Sequence, residues 1–283
     1  MPNTLLLIDP QEDFCEEQNG IGGNLAVPGG RQALTNVAGF IDRFGSQLDN
    51  IIVTLDSHHP LHISHAPMWF IDSKGNAPDP FTTVVESNGT IQLGSLDENG
   101  QFHQSDTGTT RHPGFLKWTI NYLKQLAAGG RYPHMLWTEH CIIGSPGACM
   151  TPDVFEAISK WESSRFAAAD IVTKGSDIKT EHFGALRAEV INPDNPETDV
   201  NKHFLSLLDD PDSTIYCAGL ARGHCLANTA RDTADEFDAN SFCERFVLLE
   251  DGTADVANLE HLGDAFVSDF TARGMKTAKT TDF

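Results

Sequence analysis

Short apolar runs of strand length alternate along this chain with segments whose apolar residues recur at helical spacing, and this alternation constrains the fold most. "NTLLLID" is followed from Gly30 by Leu34, Val37, Ala38, Ile41 and Phe44 on one helical face, then by "NIIVTLD". That order predicts a β-α-β unit with parallel strands and a right-handed crossover. "MTPDVFEAISKWESSR" reads as a helix with Thr151 as cap, Pro152 at its first position and Asp153 against its dipole. After it come a strand at "AADIVTK", a short helix at "HFLSLLDD" and a buried strand at "STIYCAGLA". A helix at "CLANTARDTADEF", a strand at "RFVLLED" and a helix ended by Gly274 complete the pattern. The expected fold class is α/β: an open, mostly parallel sheet in three layers with helices on both faces.

From Ser57 to about Pro133 the pattern is irregular and rich in His, Pro, Gly, Asn and Thr, with a helix predicted near "GFLKWTINYLKQLAAG". We therefore expect one domain over residues 1–283, carrying an insertion or lid over about 61–133 after the second strand.

Forty acidic against 19 basic residues give a formal charge of -21, which repels phosphate backbones and anionic headgroups and argues against nucleic-acid or membrane partners. The apolar run near the N-terminus is too short for a span and has no basic leader, so it reads as a strand, and a cytoplasmic protein is expected. Cysteines 15, 141, 149, 217, 225 and 243 form no C-x-x-C pair, as in a protein with reduced thiols.

In a parallel sheet the strand ends share one edge, where ligands bind. That edge would gather Asp9, Asp56, Lys174 and the "GLARGHC" turn. Each alone has a plain structural reading: Asp caps turns, Lys before Gly sits in water, and Cys in a β-α turn is a small buried hydrophobe. Together they form a chemical group. Cys225 at a helix start, beside a lysine such as Lys174, is placed to become a thiolate, and a carboxylate such as Asp9 can move its proton. Backbone N–H groups of the same turn can hold an oxyanion. His224 is adjacent to Cys225 but diverges from it at a helix start, so it is a poor base.

"LDSHHPLHISH" supplies Asp56, His58, His59, His62 and His65, and "WTEHCIIGSPG" supplies His140. Asp-x-His at a strand end puts two ligand types close together, and His140 is a candidate third. Loop histidines are also commonly solvated or hydrogen-bonded, so both readings stand.

The ordered set "LLLIDPQEDF", "VTLDSHHPLHIS", "WTEHCIIGSPGA", "IVTKG" and "AGLARGHCLANTARD" resembles the nicotinamidase and isochorismatase-like cysteine hydrolases over nearly the whole chain. The resemblance implies a catalytic triad at Asp9, Lys174 and Cys225, and metal ligands at Asp56, His58 and His140. It also implies an oxyanion hole from the N–H groups of Ala221 and Cys225, with a cis peptide between Leu220 and Ala221. Substrate contacts are implied at Phe14 and, more loosely, at Trp69. The metal is expected to be divalent, zinc first, with iron and manganese also fitting, and His59, His62 and His65 are alternative ligands. The activity implied is nicotinamide hydrolysis to nicotinic acid and ammonia through a Cys225 thioester, as in NAD salvage, on a small-molecule amide. Alternatives are an amidase for another or larger amide, an isochorismatase-type hydrolase and a non-catalytic binding member. A homo-oligomer is compatible with the family. "DSHH" and "RGHC" replace the family's usual "DWHP" and "TDYC" or "TDHC", which changes the pocket wall and leaves the triad in place.

Overall fold

Alternate residues of the first strand point to opposite sides and both sides are buried: Leu5 and Leu7 join one apolar cluster, Leu6 and Ile8 the other. A strand of this kind belongs in the middle of a covered sheet. The computed structural model describes residues 1–97 and 99–283. The main sheet has β1 (Asn3–Ile8), β2 (Asn50–Asp56), β8 (Asp170–Lys174), β9 (Thr214–Leu220), β10 (Phe246–Ala254) and β11 (Lys276–Ala278). Its strand order is β11-β10-β9-β1-β2-β8, and every pairing is parallel.

Helices α1 (Gly30–Phe44) and α3 (Pro152–Arg165) cover one face. The other is covered by α4 (Lys202–Leu207), α5 (Ala227–Glu236), α6 (Ala239–Arg245) and α7 (Glu260–Ala272). The fold class matches the expectation from sequence. Thr151 does not cap α3 as expected: its Oγ1 is buried without a partner, and the first turn rests on Pro152 and on the Phe155 N–H donating to the Thr151 carbonyl.

After β2 the chain leaves the main sheet and builds a second, antiparallel one. It contains β3 (Phe70–Asp72), β4 (Thr83–Ser87), β5 (Thr90–Leu96), β6 (Phe102–Thr110) and β7 (His134–Met135), in the order β3-β6-β5-β4-β7. The expected helix is present as α2 (Leu116–Gly129). A separate core of Trp69, Phe70, Val84, Ile91, Leu93, Tyr122, Leu123 and Leu126 holds this sheet to α2. Among the described residues, no helix is long and apolar enough to cross a membrane.

Candidate active site

Parallel strands deliver their last residues to one edge. Asp9 follows β1, Asp56 ends β2, Lys174 ends β8, and Cys225 lies in the wide turn Arg222–Leu226 after β9. The β2–β8 register sets Asp56 directly beside Lys174. Lys174 Nζ lies 2.7 Å from Asp56 Oδ1 and 2.9 Å from Asp9 Oδ2, the latter an ion pair too bent for a hydrogen bond. It lies 3.6 Å from Cys225 Sγ. The three residues expected as a triad are thus brought together, and all are buried. Asp9 takes a left-handed backbone at φ 42°, and Thr54 Oγ1 donates to its Oδ1 at 2.6 Å. The Leu220–Ala221 peptide is cis, as the resemblance implied.

The electrostatics revise one expectation. Burial pushes the Cys225 thiol well above its ordinary value, Lys174 opposes this, and Asp9 and Asp56 reinforce it. The ammonium is already shared between two carboxylates, which weakens its pull on the sulfur. Burial likewise raises Asp9 against the pull of Lys174. Asp56 is held well below the carboxylate range in spite of its burial, by His58 and Lys174. A cluster of Asp9, Asp56 and Cys225 has ligand atoms close enough for a metal, but Lys174 already supplies the cation there.

A second cluster fits a metal better. The ligand atoms of His58, His65 and His140 lie within 4.8 Å of one another. Asp56 Oδ2 is 3.3 Å from His58 Nε2 and 3.9 Å from His140 Nε2. Each imidazole uses Nδ1 on a backbone carbonyl: His58 on Gly175 at 2.9 Å, His140 on Thr138 at 2.8 Å and His65 on Pro60 at 3.2 Å. This orients each ring with Nε2 toward the shared point, the usual second-shell arrangement of metal-binding histidines. His65 Nε2 is buried with no partner, an orphan that a metal would satisfy. His65 is therefore a candidate ligand beside the expected Asp56, His58 and His140. His62 is not available, because its Nδ1 pairs with Ser64 and its Nε2 with the Thr180 carbonyl, and His59 is exposed.

Two buried residues near the N-terminus, neither singled out from the sequence, hold this cluster. Gln11 clamps the backbone of Asp56, accepting its N–H and donating to its carbonyl, each at 2.7 Å. Asp13 Oδ2 accepts the N–H of Cys141 at 2.7 Å, fixing the left-handed turn just after His140. Gly147 must lack a side chain because a Cβ there would collide with the Asp13 carboxylate. Their signal was present in "DPQEDF": two buried polar residues beside a strand end need internal partners.

The cluster opens into a pocket walled by Phe14, Leu25, Val27, Trp137, Phe183 and Val256, with Asp56, His140, Glu181, Ala221, His224 and Cys225 as its polar or reactive lining. Phe14 lines it, its ring 5.4 Å from that of His140. Trp69 does not line the pocket. It is 2% exposed in the insertion core, stacked on Phe115 at 4.5 Å, with its N–H on Thr119. Trp137, three residues before His140, takes the place in the wall. Glu181 is buried there and raised by burial.

No family model and no curated protein matches the chain. Solved structures do. A nicotinamidase/pyrazinamidase of Acinetobacter baumannii superposes with TM-score 0.60 at 18% identity, over 99% of this chain and 97% of that one. The yeast nicotinamidase bound to the inhibitor nicotinaldehyde gives 0.61 at 17%, over 98% and 99%. This chain has the isochorismatase-like fold of the nicotinamidases. Pyrococcus horikoshii pyrazinamidase in complex with zinc shares it, with TM-score 0.52 at 17% identity over 99% of both chains. The isochorismatase-like fold accounts for the parallel sheet, and the antiparallel sheet after β2 is built onto it.

Proposed function

We propose that the chain is a metal-assisted cysteine amidohydrolase for a small aromatic carboxamide, with nicotinamide as the first substrate to consider. The observation that carries this reading is the buried Lys174 Nζ set between Asp9, Asp56 and Cys225, of which Asp56 and Cys225 line an aromatic-walled pocket. The fold is one used by enzymes described as nicotinamidases and pyrazinamidases, one of them bound to nicotinaldehyde and another to zinc.

Phe14, Trp137 and Phe183 would hold a flat ring, with the carboxamide carbon over Cys225 Sγ. The sulfur bonds to that carbon as its proton passes to Asp9, while the N–H groups of Ala221 and Cys225 hold the carbonyl oxygen. Asp9 then gives the proton to the amide nitrogen, the C–N bond breaks, and ammonia leaves a thioester behind. Asp9 next takes a proton from water as its oxygen bonds to the acyl carbon. The C–S bond breaks, the proton returns to sulfur, and the acid departs. Lys174 keeps the charge near Asp9 and Asp56 balanced throughout. Asp56, His58, His65 and His140 would hold the divalent metal, which when bound supplies Lewis acidity beside the acyl group.

The test is ammonia release from nicotinamide by metal-loaded protein, run beside Cys225→Ala. Release by the wild type alone is expected. Failure with nicotinamide, benzamide and pyrazinecarboxamide, in protein shown to be folded and metal-loaded, sinks the proposal.

A further inference from the structure

The wide turn that holds Cys225 and the helix α5 that continues from it carry a row of buried polar atoms without partners. Among the described residues, these are His224 Nδ1, Asn228 Nδ2 and Oδ1, and Asp232 Oδ2. Residues spaced by four lie on one helical face, so the row runs roughly 12 Å along it. Its cover is specific. The Tyr132 ring stacks on His224 at 5.3 Å, and Phe183 meets the same imidazole edge-on at 5.7 Å. Gly184 passes over the outer half, where a Cβ would sit 2.8 Å from Asp232 Oδ2 and 3.3 Å from the Asn228 backbone. Arg131 and Arg187 close on Asp232 Oδ1 at 2.5 and 3.2 Å.

Both ends lead somewhere. His224 lines the pocket that holds Cys225. At the other end Arg131, Arg187 and Glu189 line a surface cleft, and Glu189 Oε1 is a further buried atom without a partner. Buried polar atoms in native proteins are almost always paired, with ordered water where protein groups do not serve. Such atoms, recurring every four residues between a reactive pocket and a cleft, match a file of small polar molecules better than any one ligand.

We propose that the His224–Asn228–Asp232 face is a hydrated conduit and that ammonia leaves through it to the cleft beside Arg131 and Arg187. The conduit rests on the geometry, and its cargo rests on the amidohydrolase reading. Ammonia both donates and accepts hydrogen bonds, and the Asn228 amide offers one group of each kind. Burial pushes His224 down to about 4, so the imidazole at the entrance is neutral and does not repel a cation by its own charge. A back exit also has a chemical use. After the C–N bond breaks, the acyl group still fills the pocket between Cys225 and the aromatic wall, and a route behind the nucleophile lets ammonia depart first.

The experiment compares wild type with Asn228→Leu, which makes the row apolar at its centre, and with Gly184→Ala, which pushes a methyl into it from the other side. Added ammonium is expected to inhibit the wild type, its ammonia re-forming amide from the thioester. In both variants the ammonium inhibition constant is expected to rise at least tenfold and kcat to fall about tenfold, with the amide KM within twofold. An unchanged ammonium inhibition constant in both folded variants overturns the proposal. So does a high-resolution crystal structure in which the row is dry or its side chains pair with one another. Ordered water bridging His224, Asn228 and Asp232, in a protein that releases ammonia from no amide, supports the conduit and overturns the amidohydrolase reading.

Discussion

Gln11 holds Asp56 by its backbone alone, one side-chain amide engaging both the N–H and the carbonyl of the same residue at 2.7 Å. A third hydrogen bond, to the Ala148 carbonyl at 2.9 Å, ties this grip to the loop that follows His140. Asp56 is left free to use its carboxylate on Lys174 and toward His58 and His140. Gln11 touches none of the proposed reacting atoms, so it is a positioning residue.

The Gln11→Glu variant keeps the shape and loses the donor, leaving two carbonyls unpaired and a carboxylate facing them. Zinc affinity is expected to fall by ~10- to 100-fold, the range typical of second-shell changes. Competition against a colorimetric chelator reads this directly. Equal affinity in variant and wild type rejects the positioning role.

Metal binding should also appear as stability. A ligand at 100 times its Kd stabilises by ~2.7 kcal/mol, which for a chain of this size corresponds to roughly 5–10 °C in Tm. Exhaustive chelation is expected to lower Tm by that amount, and zinc to restore it. His65→Ala should shrink the shift as His140→Ala does, because both present a free Nε2 to the same point. A full shift in His65→Ala would remove His65 from the ligand set.

What could be read from the sequence follows its physics. Strands β1, β2 and β9 are buried on both faces and appear as continuous apolar runs, while the edge strand β8 buries only alternate residues; the polar ends of β1, β2 and β8 located Asp9, Asp56 and Lys174 without structural help. The second sheet is different: β6, "FHQSDTGTT", is exposed or half-buried up to its last residue and carries no apolar alternation to detect. Helix α6 and strand β11 are short enough to pass for loop. At the site, residue type pointed to His58 and His140, but only geometry separates His65 from His62, since the difference is which ring nitrogens are already occupied. Trp69 and Trp137 are likewise indistinguishable by composition.

The two tryptophans separate in experiment. Trp69→Ala removes a fully packed ring from the insertion core and is expected to cost ~3–5 kcal/mol of stability, with substrate KM unaffected in the protein that remains folded. Trp137→Phe changes the pocket wall while keeping an aromatic ring, and is expected to alter KM with a small change in Tm. Urea unfolding and steady-state kinetics on both variants check the pair. A KM effect confined to Trp69 would reverse the assignment.

Glu189 gives the clearest pH dependence away from the metal cluster. Burial raises its carboxyl to about 7 from an ordinary 4.5; Arg131 opposes the shift and Asp232 adds to it. Between those values the folded chain keeps a proton that the unfolded chain releases. The stability associated with that proton is full below about pH 4.5 and is lost as pH rises to about 7. A shift of this size is worth up to ~3 kcal/mol. Glu189→Gln is neutral at every pH and nearly the same shape, so it should match the wild type near pH 4.5 and exceed its stability at pH 8. Urea denaturation of both proteins at the two pH values, at fixed ionic strength, measures the difference. A gap that does not widen from acid to alkaline pH would place the Glu189 carboxylate in a solvated, ordinary state, and with it the outer cleft beside Arg131.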